Sequence, residues 1–412
     1  MIPYSSQIIN NDDILAVKKV LKSKLITQGP VNEIFEKKLA KKVNAKFSVS
    51  VNSATSALHI ACLALGLKKK DWLWTVPNTF VASANCGRYC GASIDFVDID
   101  IENFNICIKK LKKKLKESKN KKTLPKILVV VHLGGAPSNL SEIYRLSKKY
   151  KFKILEDASH ALGSRYKGEP IGNCKYSDIA VFSFHPVKPI TTAEGGAAVT
   201  NNKIYFEKMK ILRNHGITKK ISDYKKKIKL GWYYEQQELG FNYRMNEIQA
   251  ALGISQLKKL KKFIKIRNKI AKIYIQRFKN LPISTQKISK TSLSAYHLFI
   301  VSFDFKKMNR NYNSTYNFLR KNNLGVTLHY LPVHKHPYYK NLKKYKDLEN
   351  SEFYSKSSLS VKISNFSKCE ICPFSSKRLH HFSVNFDGKY RALFDSVTAM
   401  RFSSLSLTTT KT

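Results

Sequence analysis

The chain has 412 residues, 43% of them hydrophobic, which is enough for two domains with a sizeable core. Lysine and arginine outnumber aspartate and glutamate 74 to 28, a formal net charge of +46. No apolar run is long enough to cross a bilayer, and the lysines interleave with apolar residues at helical spacing instead of clustering, so composition argues against a membrane protein and against a specific nucleic-acid binder.

Residues 1–6 lack a basic start followed by an apolar core, so no signal peptide is expected and a cytoplasmic enzyme is the default. A helix is predicted over 12–21, capped by Asn11 or Asp12. A turn-rich loop follows at 25–30, then an amphipathic helix over 32–43. From residue 47 short strands alternate with helices. Strands are predicted over 47–51, 72–76, 93–97, 127–132, 153–156, 179–184 and 197–200, and helices over 54–65, 79–88, 106–116 and 138–150. Continuous apolar runs such as 127–131 suit a sheet covered on both faces. Repeated β-α-β units imply a mostly parallel sheet, which takes its ligand beyond the carboxyl ends of its strands.

A helix over 205–213 precedes a polar, lysine-rich stretch at 218–231, read as a mobile loop. One long helix over 245–278 then links two domains. A smaller α/β unit follows, with a strand over 297–303, a helix over 314–322 and a strand over 326–329. Past 362 neither period survives. The expected division is a large domain of residues 1–255, a small one of 256–361 and an unpatterned tail of 362–412, disordered or frame-shifted. The seven cysteines sit mostly in apolar surroundings and are expected to be reduced. Cys369 and Cys372, followed by His380 and His381, lack the interval and the second pair of a zinc finger, so no metal is expected.

The stretch most apt for chemistry is 183–196. It leaves an apolar run at Ser183, breaks at Pro186, presents Lys188 and closes on Gly195 and Gly196. A lysine just beyond a buried strand can be desolvated, which lowers its pKa and makes the amine nucleophilic toward an aldehyde. Asp157, one residue past another predicted strand, is costly there unless it meets a cation. Residues 52–58 place small and hydroxylated side chains between a strand and a helix, a phosphate cradle by geometry. Phe80 follows the next strand and is placed to stack on an aromatic ligand. Taken singly, each has an ordinary explanation: a surface lysine, a helix-capping aspartate, a plain N-cap, a core aromatic. Together they set a cradle, an aromatic, an acid and a lysine at the strand ends of one domain. A pyridoxal phosphate site needs that combination.

The chain resembles the DegT-type sugar-nucleotide aminotransferases, pyridoxal-phosphate enzymes with the aspartate-aminotransferase fold (fold type I), a large mostly parallel sheet domain plus a small α/β domain. The likeness rests on residues 25–29, 52–58, 156–163, 183–196, 214–217, 240–253 and 329–334. It implies that Lys188 carries the cofactor covalently, that Asp157 pairs with its ring nitrogen and that His160 lies near the ring hydroxyl. It implies that Ala54, Thr55 and Ser183 hold the phosphate and that Phe80 covers the ring. Asn242 would reach the site of a partner subunit in a homodimer. Tyr4, Lys24, Leu25, Ile26, Thr27, His185, His329 and Tyr330 match positions that contact the sugar nucleotide. The implied reaction moves an amino group from L-glutamate to the C4 ketone of a UDP-4-keto-6-deoxy-N-acetylhexosamine, on a route to pseudaminic acid and cell-surface polysaccharide. A related sugar dehydratase would carry histidine in place of Lys188. The likeness covers residues 1 to about 360; beyond residues 354–360 the chain departs from the family, so an impaired remnant with a decayed end is the alternative.

Overall fold

The computed structural model describes residues 5–226, 228, 230–342, 345–361 and 363. Tyr4, Cys369, Cys372 and, Ile363 apart, the expected tail of 362–412 lie outside them. The chain opens with helices α1 (Asn11–Leu21) and α2 (Pro30–Val43). The cap of α1 is Asn10, not Asn11 or Asp12. The Asn10 N–H donates to the Asp13 carboxylate at 3.0 Å and the Asp13 N–H donates to Asn10 Oδ1 at 3.4 Å. This reciprocal box outcompetes a later start because Asp13 also meets the Lys259 ammonium at 2.6 Å.

The main sheet and its helices come next. They are β1 (Phe47–Val51), α3 (Ala54–Ala64), β2 (Trp72–Thr75), α4 (Ala82–Tyr89), β3 (Ser93–Phe96), α5 (Ile108–Asn120), β4 (Ile127–Val131), α6 (Leu140–Tyr150) and β5 (Lys153–Asp157). Two short strands, β6 (Arg165–Tyr166) and β7 (Glu169–Pro170), precede β8 (Ile179–Ser183) and β9 (Gly196–Thr200). The seven strands run in the order β1-β9-β8-β5-β4-β2-β3. From β3 to β8 all neighbours are parallel, and β9 alone is reversed, between β8 and β1. The connection from β8 to β9, residues 184–195, contains no crossover helix, so the returning strand must be antiparallel. That connection carries Lys188.

After β9 come α7 (Lys203–Leu212), the short strands β10 (Ile217–Thr218) and β11 (Glu235–Gln236), and α8 (Glu247–Phe278). One apolar cluster packs α2, α5, α6 and the first half of α8 on one face of the sheet, and a second packs α3, α4 and α7 on the other. Strands β4 and β8 are buried along their whole length, as their unbroken apolar runs required. Each fully buried aliphatic side chain there contributes roughly 2 kcal/mol. The basic helices follow their expected pattern: Leu111 and Leu115 are buried while Lys109, Lys112, Lys113 and Lys116 face solvent.

Helix α8 runs from the main sheet into a third cluster, where Ile270, Tyr274 and Phe278 pack on Phe299 and Leu359. After α8 come β12 (Ile283–Thr285), β13 (Ser292–Leu293), β14 (Phe299–Phe303), α9 (Phe305–Met308), α10 (Tyr312–Lys321), α11 (Pro337–Lys340), α12 (Glu349–Ser357) and β15 (Ser358–Val361). A small sheet has the order β12-β14-β15, while β13 pairs with β6. One expectation fails here. No strand forms over 326–329, where Thr327 makes only an isolated bridge to Ser360. The place beside β14 is taken by β15, a strand that was not predicted, at the end of the expected small domain. There Leu359 packs into the third cluster, and Ser302 donates to the Ser357 hydroxyl at 2.9 Å, so polar composition hides a buried edge.

Candidate active site

The loop holding Lys188 is pinned by its own chain. Phe184, fully buried against Phe35, offers its carbonyl to the Thr192 N–H at 2.9 Å and to the Thr191 hydroxyl at 3.0 Å. The Lys188 N–H donates to the His185 carbonyl at 2.9 Å, and the Ser5 hydroxyl donates to the Val187 carbonyl at 3.0 Å. Part of Lys188 remains open to solvent, yet its amine lies deep in the molecule. Burial pulls its pKa down to about 8, against the opposing pull of the Asp157 carboxylate.

Asp157 ends β5 and is itself part of the strand, which runs one residue further than the sequence suggested. It is buried. One carboxylate oxygen accepts from the Ser83 hydroxyl at 2.6 Å and the other from the Ser159 N–H at 3.2 Å. Because Ser83 donates to Asp157, the Thr79 hydroxyl 2.8 Å away donates to Ser83. Ser83 and Thr79 were missed by sequence reasoning. The available signal was their spacing of four, one turn apart, in the segment that carries Phe80.

Three buried histidines feel the charge of the amine. His160 Nδ1 accepts from the Gly134 N–H at 3.3 Å, which leaves the ring proton on Nε2 to be shared with the Tyr330 hydroxyl at 3.2 Å. Burial, then the Lys188 charge, holds His160 neutral, well below the ordinary imidazole range. His329 is pushed down to about 3 by the same two causes in the same order. Its carbonyl accepts from Tyr354 at 2.6 Å. His297, unnoticed in the sequence, stands 4.3 Å from the His160 ring, and burial keeps it neutral too. Phe80 is more than half exposed and lies 5.9 Å from the Tyr330 ring.

The cradle lies at the start of α3. Ser53 caps the helix by accepting from the Ser56 N–H at 3.1 Å, and Ala54 and Thr55 are half-buried behind it. Ser183 pairs in register with Gly196. A Cβ on Gly196 would stand 2.4 Å from the Ala54 nitrogen, so only glycine lets β9 pass so close to the helix N-terminus. The structure thus brings Ser183, Gly196 and the first residues of α3 together.

The remaining predicted residues form no comparable cluster. Lys24, Leu25, Ile26 and Thr27 are exposed, and their loop is tied down where the Ile26 carbonyl accepts from the Glu247 N–H at 3.0 Å. His185 is exposed. Asn242 is exposed as well, with its backbone bridged to Asn214 and its carbonyl 3.4 Å from the Asn52 amide of the same chain.

Residues 7–368 match the profile of the DegT/DnrJ/EryC1/StrS aminotransferase family. The match ends just inside the expected tail of 362–412. The UDP-4-amino-4,6-dideoxy-N-acetyl-beta-L-altrosamine transaminase of Campylobacter jejuni is 41% identical over 362 residues, 88% of this chain and 92% of that protein. The structure of Helicobacter pylori PseC, described as an aminotransferase involved in the biosynthesis of pseudoaminic acid, superposes with a TM-score of 0.79 at 32% identity, covering 89% of this chain and 95% of that one. Spr1654 of Streptococcus pneumoniae, described as a sugar aminotransferase and solved in its PMP form, gives a TM-score of 0.81 at 26% identity, covering 90% and 96%.

Proposed function

The chain belongs to the DegT/DnrJ/EryC1/StrS aminotransferase family, and from that premise we propose that it transfers an amino group from L-glutamate to the C4 ketone of a UDP-4-keto-6-deoxy-N-acetylhexosamine, with pyridoxal 5'-phosphate as cofactor, in the biosynthesis of pseudaminic acid. The observation that carries the reading is a buried amine drawn down to about 8 that feels the charge of one carboxylate, Asp157. In this reading residues 1–255 hold the cofactor and residues 256–361 form the small domain. The enzyme works as a cytoplasmic homodimer in which Asn242 reaches the partner's site. No helix among the described residues is long and apolar enough to cross a membrane.

The residues fit the cofactor. The passage of Gly196 against Ala54 leaves backbone N–H groups at the start of α3 for a phosphate, and Ser183 is the strand partner of Gly196. Bound there, pyridoxal phosphate supplies the electron sink that lets an amino group be exchanged for a carbonyl oxygen. Lys188 would hold the cofactor by its amine and, when free, would carry the proton. At neutral pH about a tenth of an amine with a pKa near 8 is free base, enough to take a proton without waiting for bulk hydroxide. Asp157, oriented by Ser83 and Ser159, would meet the ring nitrogen. His160 with Tyr330 would hold the ring hydroxyl, Phe80 would cover the ring, and Lys24–Thr27, His185 and His329 would receive the sugar nucleotide along with Tyr330.

Purified protein titrated with pyridoxal phosphate should develop the cofactor's visible band, lose it on adding L-glutamate and fail to develop it in Lys188→Ala. A coupled assay across UDP-4-ketosugars then identifies the acceptor. A band that forms equally well in Lys188→Ala would rule the reading out.

A further inference from the structure

Arg267, in the second half of α8, takes no part in that reaction. It is only 5% exposed, a burial that arginine seldom reaches without a paired acid. Its Nη1 donates to two backbone carbonyls, Tyr296 at 3.0 Å and His297 at 3.2 Å. Among the described residues Nε and Nη2 have no hydrogen-bond partner, and no carboxylate forms an ion pair with the guanidinium. Burial draws its pKa down to about 10, so the group still carries its charge at neutral pH.

That charge borders a cavity of about 20 Å³. Gln256, Phe263 and Arg267 line it from one face of α8, at helical spacings of seven and four. Ser6 closes it from the N-terminal segment, and Lys188 and Thr191 close it from the loop between β8 and β9. Two of the lining residues are basic and none is acidic. Asp13, 2.9 Å from the Gln256 amide, is already paired with the Lys259 ammonium at 2.6 Å. A charge taken out of water is costly unless opposite charge or several dipoles meet it, and the two carbonyls answer only one of the three guanidinium nitrogens. The cavity has room for about one water-sized particle. A water would fill the space and leave the charge unanswered.

We propose that Arg267 and this cavity form a binding site for one monatomic anion, chloride. The Nε and Nη2 N–H groups are its donors, and the guanidinium charge makes those hydrogen bonds strong. The small volume selects against carboxylates and phosphates, which need more room. Once seated, the ion ties α8 to the loop that carries Lys188 and to the N-terminal segment, without entering the amino exchange.

The test uses the full-length protein. Crystals grown in sodium bromide should show an anomalous peak in the cavity, in contact with the Arg267 guanidinium. In solution, sodium chloride should raise the unfolding temperature above its value in sodium gluconate of equal ionic strength. The gain should be about 1–2 °C at ten times the half-saturating concentration. Gluconate is too large for the cavity, while the surface charge of +46 attracts both anions. Arg267→Met keeps most of the side chain's length without its charge, and it should abolish the difference between the two salts. A cavity without anomalous signal, and so filled by water alone, or a chloride gain that persists unchanged in Arg267→Met, would overturn the proposal. Should that variant fail to fold, the bromide map of the wild-type protein decides alone.

Discussion

The floor and the rim of the site are built on different principles. On the floor, Asp157, Ser83, Thr79, His160 and Tyr330 are each held by hydrogen bonds within the chain, and most are buried. On the rim that the proposed function assigns, Lys24 to Thr27, His185 and Asn242 are exposed, and their backbones are tied down. A preorganised floor lowers the cost of reaching the reactive arrangement, whereas a rim with free side chains is completed by what binds to it. The contrast teaches that chemistry and substrate choice are separable here: floor substitutions should strike turnover and rim substitutions should strike affinity.

The strongest way to break the contrast is Lys188→Ala. It should cost at least ~10⁴-fold in transaminase turnover, measured in single-turnover assays with excess glutamate. Asp157→Asn comes next, at roughly 10²–10³-fold, because it removes a preorganised charge while preserving shape. Ser83→Ala should lower kcat by about tenfold with KM little changed, since it deletes one hydrogen bond to a charged group. If Ser83→Ala changed KM alone, the floor would not be acting as a unit.

A pH series sharpens the same contrast. Lys188 reacts as the free base and its pKa lies near 8, so cofactor uptake by the apoprotein should rise with pH through about 8, about tenfold between neutrality and the plateau. The Asp157 charge raises that pKa, so Asp157→Asn should move the midpoint to lower pH. The sign for stability follows: a lysine whose folded pKa lies below its unfolded one holds fewer protons when folded, so its contribution to stability grows as pH rises from about 8 toward the ordinary lysine range. The smallest effect is expected at the rim. Lys24→Ala should raise KM for the sugar nucleotide a few-fold and leave kcat alone.

Much of the floor was legible because Lys188 and Asp157 interrupt buried apolar runs at strand ends, where a charged side chain needs a reason. The positions of β1 to β5 and β8 could be read within a residue or two for the same reason: unbroken apolar runs between turns leave few alternatives. Ser83 and His297 were hidden, since nothing local marks a serine 74 positions from the carboxylate it serves, or a histidine that meets His160 only after folding. The small sheet was the weakest reading. Residues 326–329 look like a strand, yet β15, with serines alternating around Leu359, won the place beside β14 through a buried edge that composition conceals. Tertiary pairing overrode local preference.

The 32 residues of α8 form a rod about 48 Å long. At its first residue the Glu247 carboxylate accepts from the Val31 N–H at 2.6 Å and from the Asn32 N–H at 3.3 Å, while the Glu247 N–H holds the carbonyl of Ile26. At its far end Tyr274 and Phe278 are wedged against the strands of the small sheet. Whatever grips the loop of residues 24–27 is therefore hitched to a tiller, and turning one end must steer the other. Slower amide exchange along Phe299–Phe303 when a nucleotide sugar docks is the signal such coupling would send.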